Sequence, residues 1–265
     1  MFRERLITTL ILIPLVLLGI YFANYWLFAA VFALATLACA YEWLQLIPLD
    51  QKLPQLFFVA LIWLLMAATH LFYPLWGSLG ALAWLFITAA IWTFPASKRW
   101  WGKRAIIVVL ACIVLPLFFQ SLLKITSFQS GKALLLYLLL LVWAADIGAY
   151  LAGKQWGKNK LIPAVSPGKT VEGFSGGLGL SLVVSVVAYF YFKPGQSVVW
   201  FFLAVAIGVI ALIGDLFISM LKRRTGVKDT GHILPGHGGI LDRLDSLIAA
   251  APLFYAALSY FYPGL

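Results

Sequence analysis

Runs of apolar residues, each broken by a short polar cluster, recur along this chain of 265 residues. A helix of roughly 20 residues crosses the ~30 Å hydrocarbon core of a bilayer. Apolar windows of that length predict nine spans, at about 4–22, 25–47, 54–73, 75–95, 105–123, 133–153, 173–192, 197–220 and 244–262. The third and fourth are parted only by the turn around Pro74 and could equally be a hairpin or a re-entrant pair. The run behind Arg3 and Arg5 resembles a signal peptide in outline, yet Ile7 to Tyr21 leads into another apolar run without a cleavage site, so it is read as a retained helix. With no internal repeat and no linker, the pattern predicts an all-α, polytopic membrane protein in one domain, 1–265. Helices up to residue 104 carry no evident chemistry, and those from 105 onward carry two long polar loops, 154–172 and 221–243.

Threading nine spans alternately puts Arg3, Arg5, Lys52, the cluster Lys98 to Arg104, the lysines of the 154–172 loop and the five cations of the last polar stretch on one side. That is sixteen of the nineteen Lys and Arg, and only Lys124, Lys132 and Lys193 remain for the other. Cytoplasmic loops are enriched in Lys and Arg. The N-terminus and both polar loops are therefore expected in the cytoplasm, with the chain in the inner (cytoplasmic) membrane.

Composition agrees: 63% of residues are hydrophobic, 11% are charged and mean hydropathy is +1.00, whereas about a quarter of a soluble domain is charged. A net charge of +10 could suggest nucleic acid, but a basic nucleic-acid domain does not carry repeated membrane-spanning runs. Membrane lipids are the expected partners, and nucleic acid is not. Cys39 and Cys112 lie within apolar runs and read as small buried side chains, not a disulfide. Trp26, Trp43, Trp63, Trp76 and Trp84 are expected to include interfacial anchors.

The chemistry gathers between Ser219 and Asp245, SMLKRRTGVKDTGHILPGHGGILDRLD. Cations, acids and glycines alternate there as a metal-bound polyphosphate requires: Lys and Arg neutralise phosphate oxygens, carboxylates hold a hard cation, and glycines let backbone N–H groups approach. The stretch resembles, at every fixed position, the signature of the CDP-diacylglycerol synthases, or phosphatidate cytidylyltransferases. Those positions are Ser219, Leu221, Lys222, Arg223, Lys228, Asp229, Gly231, Leu234, Pro235, His237, Gly238, Gly239, Ile240, Asp242, Arg243, Leu244 and Asp245. The resemblance implies that CTP and phosphatidate are joined, with Mg²⁺, into CDP-diacylglycerol and pyrophosphate.

Further candidates lie upstream. Asp146, late in the sixth span with Tyr150 one turn on, is an ionisable group at membrane depth and hence a functional candidate; hydration near the interface with Lys154 as partner is the plainer reading. Ser166 to Thr170 ends like a P-loop, but Pro163 stands where that motif needs glycine, so a Walker fold is rejected. Ser166 and Lys169 are expected to touch phosphate, and Glu172 to open the next helix. Asp215, Ser219 and Lys222 fall on one helical face; because a cation site needs acids from more than one element, Asp215 and Asp242 are favoured as ligands of one cation over a simple pair of Asp215 with Lys222.

The expected catalytic group is then Lys222, Arg223, Lys228, Asp229, His237 and Arg243. Ser166, Lys169, Ser219, Gly238 and Gly239 are expected to bind substrate, and Asp146, Asp215, Asp242 and Asp245 the metal. Two other functions compete. A CTP-dependent kinase of a lipid alcohol would leave no nucleotide on its product, and a transporter of phosphorylated solutes would turn nothing over. Oligomeric state stays open, a homodimer included.

Overall fold

The computed structural model describes residues 14–47, 52–231 and 238–265. In chain order these form α1 (residues 14–22), α2 (Tyr25–Trp43), α3 (Lys52–Leu71), α4 (Tyr73–Trp92), the single turn α5 (Lys98–Trp101), α6 (Arg104–Thr126), α7 (Gly131–Trp156), the strands β1 (Lys160–Ile162) and β2 (Ser166–Thr170), α8 (Val171–Phe192), α9 (Ser197–Thr225) and α10 (Leu241–Phe261). Eight of these helices are long and apolar enough to cross a membrane, and they coincide with the second to ninth predicted spans. The chain is a multi-pass, all-α membrane protein. Most of the first predicted span, 4–22, lies outside the described residues.

Local chemistry sets the boundaries. Asn24 caps α2, its side chain accepting from the N–H of Leu27 at 2.9 Å. Pro74 sits in the first turn of α4, where its missing N–H costs nothing. The third and fourth spans are accordingly two helices of full spanning length. Gly226, at φ 75°, stops α9 with its N–H on the carbonyl of Lys222 at 2.9 Å. The short antiparallel pair of β1 and β2 was not expected within the 154–172 loop. Its prolines, Pro163 and Pro167, argue against strand by pattern, and the pair is held instead by tertiary contacts described below.

α6 is the centre of the bundle: 67% of its spanning window is buried, against 22% for α3 on the outside. Around it pack α2, α3, α4 and α10, while α9 lies against α10 and α7 against α8. The tryptophans divide accordingly. Trp26 and Trp63 point outward, whereas Trp43 and Trp84 are buried on either side of Phe217 of α9, each 5.9 Å from its ring.

α7 and α8 make the most extensive contact in the molecule, along a seam of small residues. A methyl group at Gly148 would stand 2.5 Å from the carbonyl oxygen of Gly176, and one at Gly177 the same distance from that of Ala145. Backbones this close gain dispersion that larger residues would forfeit. Polar side chains add to the seam: Tyr137 donates to Ser185 at 2.9 Å and Ser181 to the carbonyl of Leu141 at 3.1 Å. Gly148→Ala is therefore expected to destabilise the protein by about 1–3 kcal/mol, read as a lower unfolding midpoint in detergent.

Hydrogen bonds between helix ends sort the loops into two faces. On the first, Arg224 of α9 donates to Gly102 beyond α5 at 2.7 Å and to Leu46 beyond α2 at 3.3 Å, and Arg223 donates to Val165 in the hairpin turn at 3.1 Å. On the second, Lys132 of α7 reaches the carbonyl of Tyr21 in α1 at 2.8 Å. There too Ser130 donates to Leu265 and the Tyr262 hydroxyl to Gln196, each at 2.6 Å. The described parts of both long polar loops belong to the first face, and Lys124, Lys132 and Lys193 to the second, as the alternating threading expects.

Candidate active site

A cavity of about 380 Å³ opens between α7, α8, α9 and β2. Asp146 and Lys154 reach it from α7, Lys169 and Thr170 from β2 and Asp215 from α9, while Leu161, Phe174, Leu178 and Leu212 give it apolar walls. The glycines of the α7–α8 seam leave room for it. Thr170 fixes the strand-to-helix corner, its hydroxyl accepting from the N–H of Gly173 at 3.1 Å as the cap of α8. Glu172, in the first turn, accepts from the backbone N–H groups of Lys158 and Asn159 and from the Asn159 amide, closing the turn ahead of β1. Lys169 is thereby carried to the cavity on a short, pinned strand.

Lys169 forms an ion pair with Asp215. Ser219, one turn along α9, also donates to Asp215, at 3.3 Å, as helical spacing predicted. Asp215 thus pairs with Lys169 and not with Lys222. Asp146 and Asp245 lie within electrostatic reach of Asp215, and Arg243 within reach of Asp146. Asp245 comes so close because α9 has glycine where the helices touch: a Cβ on Gly214 would run into the carbonyl of Asp245. Lys154, offered above as partner of Asp146, lies 5.9 Å from the centre of the Tyr150 ring.

Lys222 and Asp242 form a second centre. The ammonium of Lys222 is 2.7 Å from Oδ1 of Asp242, and Oδ2 accepts from the N–H groups of Thr230 at 2.8 Å and Gly239 at 3.2 Å. Both oxygens carry donors, so sharing an ion with Asp215 would require Asp242 to release Lys222. The N-terminus of α10 is likewise engaged. The N–H groups of Ile240 and Leu241 bind the carboxylate of Glu42 at 2.9 and 2.8 Å. Arg223 holds the hairpin turn, Lys228 and Asp229 are exposed, and Ser166 begins β2 without lining the cavity. Gly238, at φ 80°, turns the chain into α10. His237 lies outside the described residues.

Residues 3–261 match the cytidylyltransferase family. The chain belongs to that family. Among relatives of this cytidylyltransferase are two named phosphatidate cytidylyltransferase. The one from Pseudomonas aeruginosa is 36% identical over 263 residues, 97% of each chain, and the one from Haemophilus influenzae is 35% identical over 289 residues, 99% of each. A third of that name, from Staphylococcus aureus, is 51% identical over 127 residues, 47% of this chain and 48% of its own.

In this cytidylyltransferase the residues that sequence reasoning passed over are Glu42 and Arg224. The cue for Glu42 was available, since an acid inside an apolar run is costly and calls for a partner. Arg224 stood inside the signature at one of its free positions, and nothing in its spacing foretold contacts with residues 46 and 102.

Proposed function

We propose that this protein transfers the cytidylyl group of CTP to phosphatidate, giving CDP-diacylglycerol and pyrophosphate at the cytoplasmic face of the inner membrane. The observation that carries the reading is the cavity in which Lys169, Asp146 and Asp215 meet between apolar walls: polyphosphate chemistry set among helices that also face lipid. Full-length relatives bearing the matching name support it, and sixteen of nineteen cations on one set of loops support the orientation.

Phosphatidate needs no strong base, because its phosphate is already anionic at neutral pH. An oxygen of that phosphate attacks the α-phosphorus of CTP, the new P–O bond forms, and the bond to the β-phosphate breaks as pyrophosphate leaves. The obstacle is repulsion between two anions. Lys169, a point charge on a flexible stem, passes from Asp215 to a phosphate oxygen, and Arg243 adds positive charge on the same side. Lys222, tied to Asp242, fixes the end of α9 and the start of α10 so that these charges are aimed before reaction begins. The acyl chains stay in lipid beside the outward-facing surfaces of α7 and α8.

The donor set suits Mg²⁺. Among the described residues no three His, Cys, Asp or Glu side chains stand close enough to hold an ion alone. Mg²⁺, however, is commonly held by one or two carboxylates with phosphates and water completing the shell. Asp215 and Asp146 would hold it at the cavity wall with Asp245 behind them. Bound there, it would grip the triphosphate and withdraw charge from it.

Purified protein given cytidine-labelled CTP, Mg²⁺ and phosphatidate is expected to move label into the lipid phase and release pyrophosphate in equal amount. Phosphate on lipid without cytidine would mean a lipid-alcohol kinase, and vesicle uptake without turnover a transporter.

A further inference from the structure

Glu42 ends α2, far in sequence from the signature, and its side chain is only 1% exposed. It takes donors from both ends of the signature loop. Oε2 accepts from the hydroxyl of Thr230, a little beyond the end of α9 at Thr225, at 3.2 Å, and from the N–H of Leu241, where α10 begins, at 2.8 Å. Oε1 accepts from the N–H of Ile240 at 2.9 Å. A negative charge at a helix N-terminus lies where the helix dipole favours it. The carboxylate also fills the space facing Gly231 and Gly239: a Cβ at either position would collide with it. Gly239, a fixed glycine of the signature, and Gly231, at its small-residue position, are thus explained by an acid of the N-terminal half and not by phosphate. Asp242 clasps the same two ends from within, through Thr230 and Gly239, and is itself the partner of Lys222.

We propose that Glu42 is a positioning residue for cytidylyl transfer, clasping both ends of the signature loop so that the Lys222–Asp242 pair and Arg243 are set against the cavity. The N-terminal helices, which showed no chemistry of their own, act through it: α2 is the rigid arm of the clasp. Arg224, bound to the carbonyls of Leu46 and Gly102, ties the same half to the end of α9.

Glu42→Gln tests this with little change in shape. Whichever way the amide turns, its NH₂ faces either Ile240 N–H or Leu241 N–H, and one donor loses its acceptor. The proposal rests on the transferase reading for its kinetic part. Glu42→Gln is expected to lower kcat by about 100-fold, as a small misplacement of reacting groups does, with KM for CTP changed far less. Independently of activity, trypsin is expected to cut after exposed Lys228 on the order of 10-fold faster, because one charge-assisted hydrogen bond no longer helps to hold Thr230 and the start of α10 together. Thr230→Val, the milder change, should speed the same cut and add little when combined with Glu42→Gln, since both open one clasp.

Unchanged kcat and unchanged cleavage at Lys228 would overturn the proposal, as would fully additive effects of the two substitutions. Cleavage spread along the whole chain with a collapsed unfolding midpoint would also overturn it, by making Glu42 a residue of general stability. If wild type itself forms no CDP-diacylglycerol, the transferase reading fails while the rate of cleavage at Lys228 still decides the clasp.

Discussion

Asp215→Asn is expected to cut CDP-diacylglycerol formation by about 100- to 1000-fold, the usual loss when one preorganised electrostatic group is removed from a reaction centre. The helices should stay packed, since Asp215 faces a cavity and its side chain is 30% exposed. The substitution removes the carboxylate that pairs with Lys169, accepts from Ser219 and interacts with Asp146 and Asp245. Lys169→Ala should lose activity comparably, through the phosphate contact. The double variant distinguishes the roles. If the two residues merely neutralise each other, removing both restores activity; if each serves the triphosphate, the double variant stays as inactive as the worse single one. Label transfer from CTP to lipid, measured for all four proteins beside their unfolding midpoints, decides between these outcomes.

Lys222→Met carries the second large effect, and this one falls on stability as well as turnover. Asp242, its side chain 8% exposed, would keep its two backbone N–H donors but lose the charge that offsets its own. Removing one partner of a buried pair typically costs about 3–5 kcal/mol, most of it the penalty of leaving the other charge uncompensated. Adding Asp242→Asn to Lys222→Met should recover most of the lost stability, because no bare charge is then buried. Activity should not return with it, since the geometry that aims Arg243 and the end of α9 depends on both groups. Thermal unfolding in detergent and label transfer, read together on the single and double variants, check the two halves; a double variant regaining full turnover would reduce the pair to a structural prop.

Periodicity and motif differ in what they make visible. Membrane helices are legible because hydrocarbon imposes one length and one polarity on every span, and α2 to α10, the single turn α5 apart, follow the apolar windows closely. The hairpin of β1 and β2 was hidden, because it is short, rich in proline and kept in place by Arg223 on Val165 and by Glu172 on the preceding turn. Such contacts leave no periodic trace. Asp215 and Ser219 were placed together correctly by helical spacing, whereas the partner of Asp215 could not be read from its own helix: Lys169 arrives from a strand 46 positions earlier.

What the sequence by itself determined is the class of molecule and the list of reactive groups. Unbroken apolar runs of this length cross lipid as helices, which satisfy their own backbone, and the signature names the acids and bases by type and order. Only the tertiary structure decided who meets whom. α9 and α10 approach across Gly214, which brings Asp245 to Asp215; Lys222 goes to Asp242; and Glu42, from a helix that looked silent, occupies the N-terminus of α10. The reason is physical. Burial depth is written residue by residue in hydropathy, but ion pairs inside a bundle are chosen by distance between helices, and that distance is set by side chains remote from the charges themselves.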